Sequence, residues 1–139
     1  MATTTIGVAS RNATATAWAG ELDGGTIELL DDADAVLGEG DLSDPAASGA
    51  ASDGAISLAG PVAVSITSPG SITKVVLKNA AGVAQLTTDD VGPLSSGAAC
   101  IIGRTLDAEN PNDWRLVSAG DTISVATISM AAQRETYTT

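Results

Sequence analysis

The sequence predicts a mainly β domain, an antiparallel β-sandwich or jelly-roll-like barrel with one short N-terminal helix, and three features predict it. Short apolar segments recur between residues 55 and 129, Gly and Pro mark the gaps between them, and the alanine-rich stretch at helical spacing lies near the N-terminus. The helix is expected over residues 10–22: Ala9, Ala13 and Ala17 are four apart, and Leu22 lies one turn beyond Trp18. Ser10 is the expected N-cap and Asp23-Gly24-Gly25 the stop, with Trp18 and Leu22 holding the helix to the sheets. Thr26 to Leu30 then reads as a strand that pairs back with Ala35-Val36-Leu37 across the acidic turn 31–34. From Gly38 to Asp53 the chain is Gly, Glu, Asp, Ser, Pro and Ala, with Leu42 as its one large apolar residue. That composition predicts a loop or partly disordered excursion.

Strands follow at residues 55–59, 62–67, 72–78, 83–87, 98–103 and 122–129. Gly60-Pro61, Pro69-Gly70, Asn79-Ala80-Ala81-Gly82, Gly92-Pro93 and Ala119-Gly120-Asp121 place turn formers between them. In Val62-Ala63-Val64-Ser65-Ile66-Thr67, and in Ile123-Ser124-Val125-Ala126-Thr127-Ile128 until its phase shifts, large apolar groups alternate with small or polar ones. One face of each strand should therefore be buried. Residues 106–116 form a second polar loop, and Trp114 at its exit reads as a lid on the core.

A chain of 139 residues suits a single domain, 1–139, with extended arms expected at 1–6 and 134–139. These ends are β-prone and almost uncharged at their tips, so either suits strand addition to a neighbour's sheet edge. Of the apolar residues, 25 are Ala and only 30 are Leu, Ile or Val; Phe is absent, and the aromatics are Trp18, Trp114 and Tyr137. Such a core is thin and is expected to lean on partner subunits for part of its burial. The formal charge of −11 opposes phosphate neutralisation, so neither nucleic acid nor an anionic membrane is an expected partner. No apolar run approaches the roughly 20 residues of a membrane span. Residues 1–10 carry neither a basic start nor a long apolar stretch, so no secretory signal is expected.

Chemistry is hard to find. There is no His, which removes the commonest proton shuttle near neutral pH and the commonest transition-metal ligand. Cys100, the single cysteine, lies in Ala98-Ala99-Cys100-Ile101-Ile102 and reads as a buried, inert thiol. No nucleophile elbow, Walker pattern or dinucleotide-binding glycine turn occurs, and the acids lack the aromatic platforms of a sugar site. The chain therefore reads as a non-enzyme without catalytic residues, metal or cofactor. Asp31, Asp32 and Asp34, with Glu39 or Asp41, could offer oxygens to Ca²⁺. However, Val36 stands where an EF-hand needs another ligand and no glycine sits at the sharp turn, so a solvated hairpin tip is expected.

One resemblance supplies a function. The opening Ala9-Ser10-Arg11-Asn12-Ala13, the alanine-rich helix and Gly24-Gly25-Thr26-Ile27-Glu28-Leu29 resemble the start of small virion proteins of tailed bacteriophages. Residues 72–86 and Ala119-Gly120-Asp121-Thr122-Ile123-Ser124 resemble their second half, while the acidic segment 39–53 departs from the pattern. The resemblance implies a capsid decoration or cement protein on the outer surface of the virion, made in the host cytoplasm. Its implied partners are the major capsid protein and further copies of itself, as a homo-oligomer. Two other readings are a tail or head-tail connector component and a carbohydrate- or cell-surface-binding β-module. The latter would display Trp114 and Tyr137.

Overall fold

A computed structural model describes the backbone of residues 3–131 and 136–138 and the side chains of residues 6–130. Strand β1 (Thr3–Thr5) precedes helix α1 (Val8–Glu21), which starts two residues earlier than expected. Gly7, extended at φ −67° and ψ 156°, is the N-cap instead of Ser10, and the Arg11 N–H already donates to its carbonyl. The buried stripe is also rotated from the expected one: Ala15, Ala19 and Leu22 face the core, whereas Ala9, Ala13 and Ala17 are exposed. A polyalanine register has no bulky side chain to choose a face, so the tertiary partner chooses it. Trp18 is only half-buried at the edge of this stripe, with its Nε1 enclosed and unpartnered among the described residues.

The strands that follow are β2 (Thr26–Leu30), β3 (Val36–Asp41), β4 (Ala55–Ser57), β5 (Val62–Ile66), β6 (Gly70–Ser71) and β7 (Lys74–Lys78). Then come β8 (Ala84–Thr88), β9 (Val91–Gly92), β10 (Cys100–Ile102), β11 (Leu116–Val117), β12 (Thr122–Ala131) and β13 (Thr136–Thr138). Nine of them form one nearly closed, barrel-like sheet in the order β8-β7-β2-β3-β5-β12-β10-β9, with β4 pairing the far end of β12. The fold is thus mainly β with one N-terminal helix. The sheet is mixed, not wholly antiparallel, because β9 runs parallel to β10 through the pairs Val91–Cys100 and Gly92–Ile101.

Alternation does what the sequence implied in β5, where Val62, Val64 and Ile66 are buried and Ala63 and Ser65 exposed. The phase shift in β12 has a physical cause. Opposite it, Ile101 pairs with Thr127 but Ile102 pairs with Val125, so Ala126 is an extra residue and a bulge returns Ile128 to the core. The β2–β3 hairpin forms as expected, but β3 continues through Gly38, Glu39 and Gly40 to Asp41, where the sequence predicted a loop. A Cβ on Gly38 would lie 2.5 Å from the Ser65 carbonyl oxygen and 2.7 Å from Ile66 Cδ1; one on Gly40 would meet the Ala63 carbonyl oxygen closer still. The two glycines are what allow β3 to lie against β5.

Beyond β3 the excursion is ordered by hydrogen bonds. Leu42 donates to Gly25, Ala46 to the Asp23 carboxylate and Ala59 to Ala46, while Leu42 and Ala46 are buried. Its far end is tied to the helix: Arg11 donates to the backbone carbonyl and carboxylate of Asp53, and Asn12 accepts the Gly54 N–H. The barrel interior is one contiguous aliphatic cluster drawn from the helix, the excursion and the sheet, with Trp114 capping it.

Candidate functional site

The acidic hairpin tip is built around its own backbone. Asp31 accepts N–H bonds from Ala33 and Ala35 at 2.9 Å each, Asp34 takes a left-handed φ of 64°, and its carboxylate pairs with Lys74. That bond, aided by the nearby carboxylates, raises the Lys74 pKa above its ordinary value despite some desolvation. Two of the three tip aspartates are therefore held by hydrogen bonds, and Asp32 makes none with the described residues, although its charge acts on Lys74. Among the described residues no group of three or more acids, Cys or His is arranged to hold a metal ion.

Cys100 lies where the sequence put it, in β10 between β12 and β9, wholly buried. Burial, with a smaller contribution from the charge of Asp90, pushes its pKa up to about 12. The thiolate, which is the reactive form, is correspondingly scarce at neutral pH.

Trp114 sits in a 3-10 turn, Asp113–Arg115, and is buried as a lid should be. Its surroundings were not legible from the sequence. The Arg115 guanidinium lies 4.2 Å from its ring centroid and donates to the Ile72 carbonyl at 2.9 Å. Arg104 reaches across from the end of β10 to the carbonyls of Leu116 at 2.6 Å and Trp114 at 3.4 Å. Beside Arg104 and Trp114 lies an open depression of about 360 Å³, lined also by Leu94, Gly103, Thr105 and Asp113. Of this lining Leu94 is 39% exposed, and Leu106 and Leu116, near it in the sequence, are 57% and 55% exposed. Among the described residues Arg11, Lys74 and Lys78 each pair with a carboxylate, whereas Arg104 and Arg115 bond only to backbone carbonyls. The available signal was the scarcity of cations: six in the whole chain, one of them beside Trp114.

The two ends meet. Thr3–Thr5 and Thr136–Thr138 pair antiparallel, Thr4 opposite Tyr137, in a two-stranded ladder outside the nine-stranded sheet. They are one ribbon and not two separate arms; the remainder of the expected arm 134–139 lies outside the described residues. No helix of the described residues is long and apolar enough to cross a membrane. Comparison with known protein families, curated proteins and solved structures finds no match to this chain.

Proposed function

We propose that this chain is a capsid decoration or cement protein of a tailed bacteriophage, which stabilises the shell by binding the major capsid protein and copies of itself. The observation that supports this reading most is the terminal ribbon. Its two strands hydrogen-bond to each other and, among the described residues, to no other strand, so each keeps an outer edge able to take up a neighbour's strand. The absence of His, the buried and poorly ionised Cys100, and the resemblance of residues 9–29 and 72–86 to virion proteins agree with a role in contact rather than chemistry. A sugar-binding module is not favoured, because Trp114 is buried beneath Arg115 and offers no stacking platform.

The test is occupancy. Purified chain is mixed with empty shells of the phage whose genome encodes it, and bound copies per shell protein and shell resistance to heat are measured. Full-length chain should occupy the lattice in many copies and raise the melting temperature of the shell. Deleting residues 1–5 or residues 135–139 should each lower occupancy, because loss of either strand dismantles the ribbon. Failure of the full chain to bind removes the assignment, and full occupancy by both deletions removes the ribbon as its means.

A further inference from the structure

The chain contains two Asp-Gly pairs, Asp23-Gly24 and Asp53-Gly54. In such a pair the glycine nitrogen is able to attack the side-chain carboxyl carbon of the aspartate, because glycine has no Cβ to obstruct the approach. A C–N bond forms, the carboxyl C–O bond breaks and water leaves, closing a succinimide ring. Water then reopens the ring at either carbonyl. One opening returns aspartate; the other gives isoaspartate, whose main chain runs through the former side chain.

Both pairs lie where helix α1 meets the excursion that follows β3, one at each end of the helix. At the C-terminal end Gly24 donates its N–H to the Ser43 carbonyl at 3.1 Å, and the Asp23 carboxylate accepts the Ala46 N–H at 2.8 Å. At the N-terminal end Asn12 Oδ1 accepts the Gly54 N–H at 2.7 Å, while Arg11 donates to the Asp53 carbonyl at 3.1 Å and to its carboxylate at 3.4 Å. In each pair the attacking nitrogen and the group it would attack are thus held by partners from another segment. Reaction requires that hold to open, so its rate follows the population of the locally opened state.

The two pairs differ in how readily they open. Asp23 is half-buried, and its partner Ala46 belongs to the core. Asp53 has a side chain 85% exposed and stands with Gly54 at the tip of a two-residue turn, closed by hydrogen bonds of 2.9 Å in both directions between Ser52 and Ala55. Both tip residues are left-handed, at φ 51° and 76°, as a type I′ turn requires. This turn is fastened to the helix by the side chains of Arg11, itself buried, and Asn12.

We propose that Asp53 is a modification site at which the chain converts to isoaspartate, and that Arg11 and Asn12 set the rate by clasping the Asp53-Gly54 turn against the helix. Conversion adds one methylene to the main chain of the turn and turns the carbonyl that Arg11 holds into a free carboxylate. The Gly54 N–H and that group then no longer match the spacing of Asn12 and Arg11, so the clasp does not re-form and this end of the excursion is released.

The full chain is aged at physiological temperature and pH for several weeks. Isoaspartate is counted by enzymatic methylation of its carboxyl group and located by mass spectrometry of proteolytic fragments. The same chain in denaturing urea supplies the rate without the clasp. Folded protein should convert at Asp53 ahead of Asp23, and more slowly than in urea. Asn12→Ala should speed conversion at Asp53 about fivefold, the ratio that one hydrogen bond of ordinary net strength represents, and leave Asp23 unchanged. Asn12→Asp keeps an acceptor oxygen and should keep the slow rate. Absence of isoaspartate at residue 53 in urea overturns the site, and equal rates in folded and urea-unfolded chain overturn the clasp. Acceleration at Asp23 and Asp53 alike by Asn12→Ala reports general loosening and likewise overturns the clasp, as does an unchanged rate at Asp53.

Discussion

Replacing Gly38 by Ala adds a single methyl group, and the geometry says where it goes. The new Cβ would stand 2.5 Å from the Ser65 carbonyl oxygen and 3.1 Å from Ile66 Cα, both backbone atoms that cannot swing aside. Carbon and oxygen ordinarily meet at about 3.3 Å, so β3 and β5 must part by roughly 0.8 Å. Those strands are joined by only two register pairs, Gly38–Ile66 and Glu39–Ser65, so separation strains the seam as a whole. Overpacking of this kind costs about 1–3 kcal/mol, a weakened ladder bond about 1 more, and the stiffer unfolded chain returns about 0.5–1, leaving a loss of about 1–3.5 kcal/mol. For a domain of this size that is a fall in Tm of about 3–12 °C. Gly20→Ala is the control: nothing lies within 4 Å of its added Cβ and the site is an exposed helical one, so stability should rise by up to about 1 kcal/mol. Urea unfolding followed by tryptophan fluorescence, with thermal melts by circular dichroism, reads both. A Gly38→Ala protein within about 0.5 kcal/mol of the original would refute the close approach of β3 to β5.

Cys100 should resist thiol reagents in the native state and react on unfolding; rapid native labelling would contradict its burial. Because folding raises its pKa from the ordinary 9.0 to about 12, the unfolded chain loses that proton first. Stability from this group is complete below about pH 9 and declines as pH rises to 12, by up to about 4 kcal/mol, and urea titrations of Cys100→Ala should lack that component. Glu28, 6% exposed in the central strand β2, pairs with Lys78, which is about one-third exposed. Lys78→Met strands the carboxylate and should cost about 1–3 kcal/mol in urea unfolding, less than a fully buried pair because water reaches the lysine. Adding Glu28→Gln should recover most of that loss; if it does not, the pair is not what Lys78 contributes.

Period-two patterning, turn residues and charge were enough to place the hairpin at Asp31–Asp34, strands at 62–67, 72–78 and 122–129 to within two residues of those observed, the Asn79–Gly82 turn and the burial of Cys100. Each of these depends on interactions within a few residues or on the gross preference of apolar groups for the interior. The misreadings share another cause. Gly38 to Asp41 has the composition of a loop and becomes a strand because β5 lies close enough that only glycine fits, and β5 is more than twenty residues away in the chain. Ala15 and Ala19 were chosen for the core over Ala9, Ala13 and Ala17 by the sheet against which the helix packs, since alanines alike in size carry no preference of their own. The pairing of the two ends, and the convergence of Leu94, Arg104 and Arg115 around Trp114, join residues separated by up to 135 positions and 21 positions respectively. Composition and local spacing determined the mainly β class of fold with its N-terminal helix; which surfaces came together was decided by the closing of the sheet, because contact between distant segments is a property of the chain's path and not of any window along it.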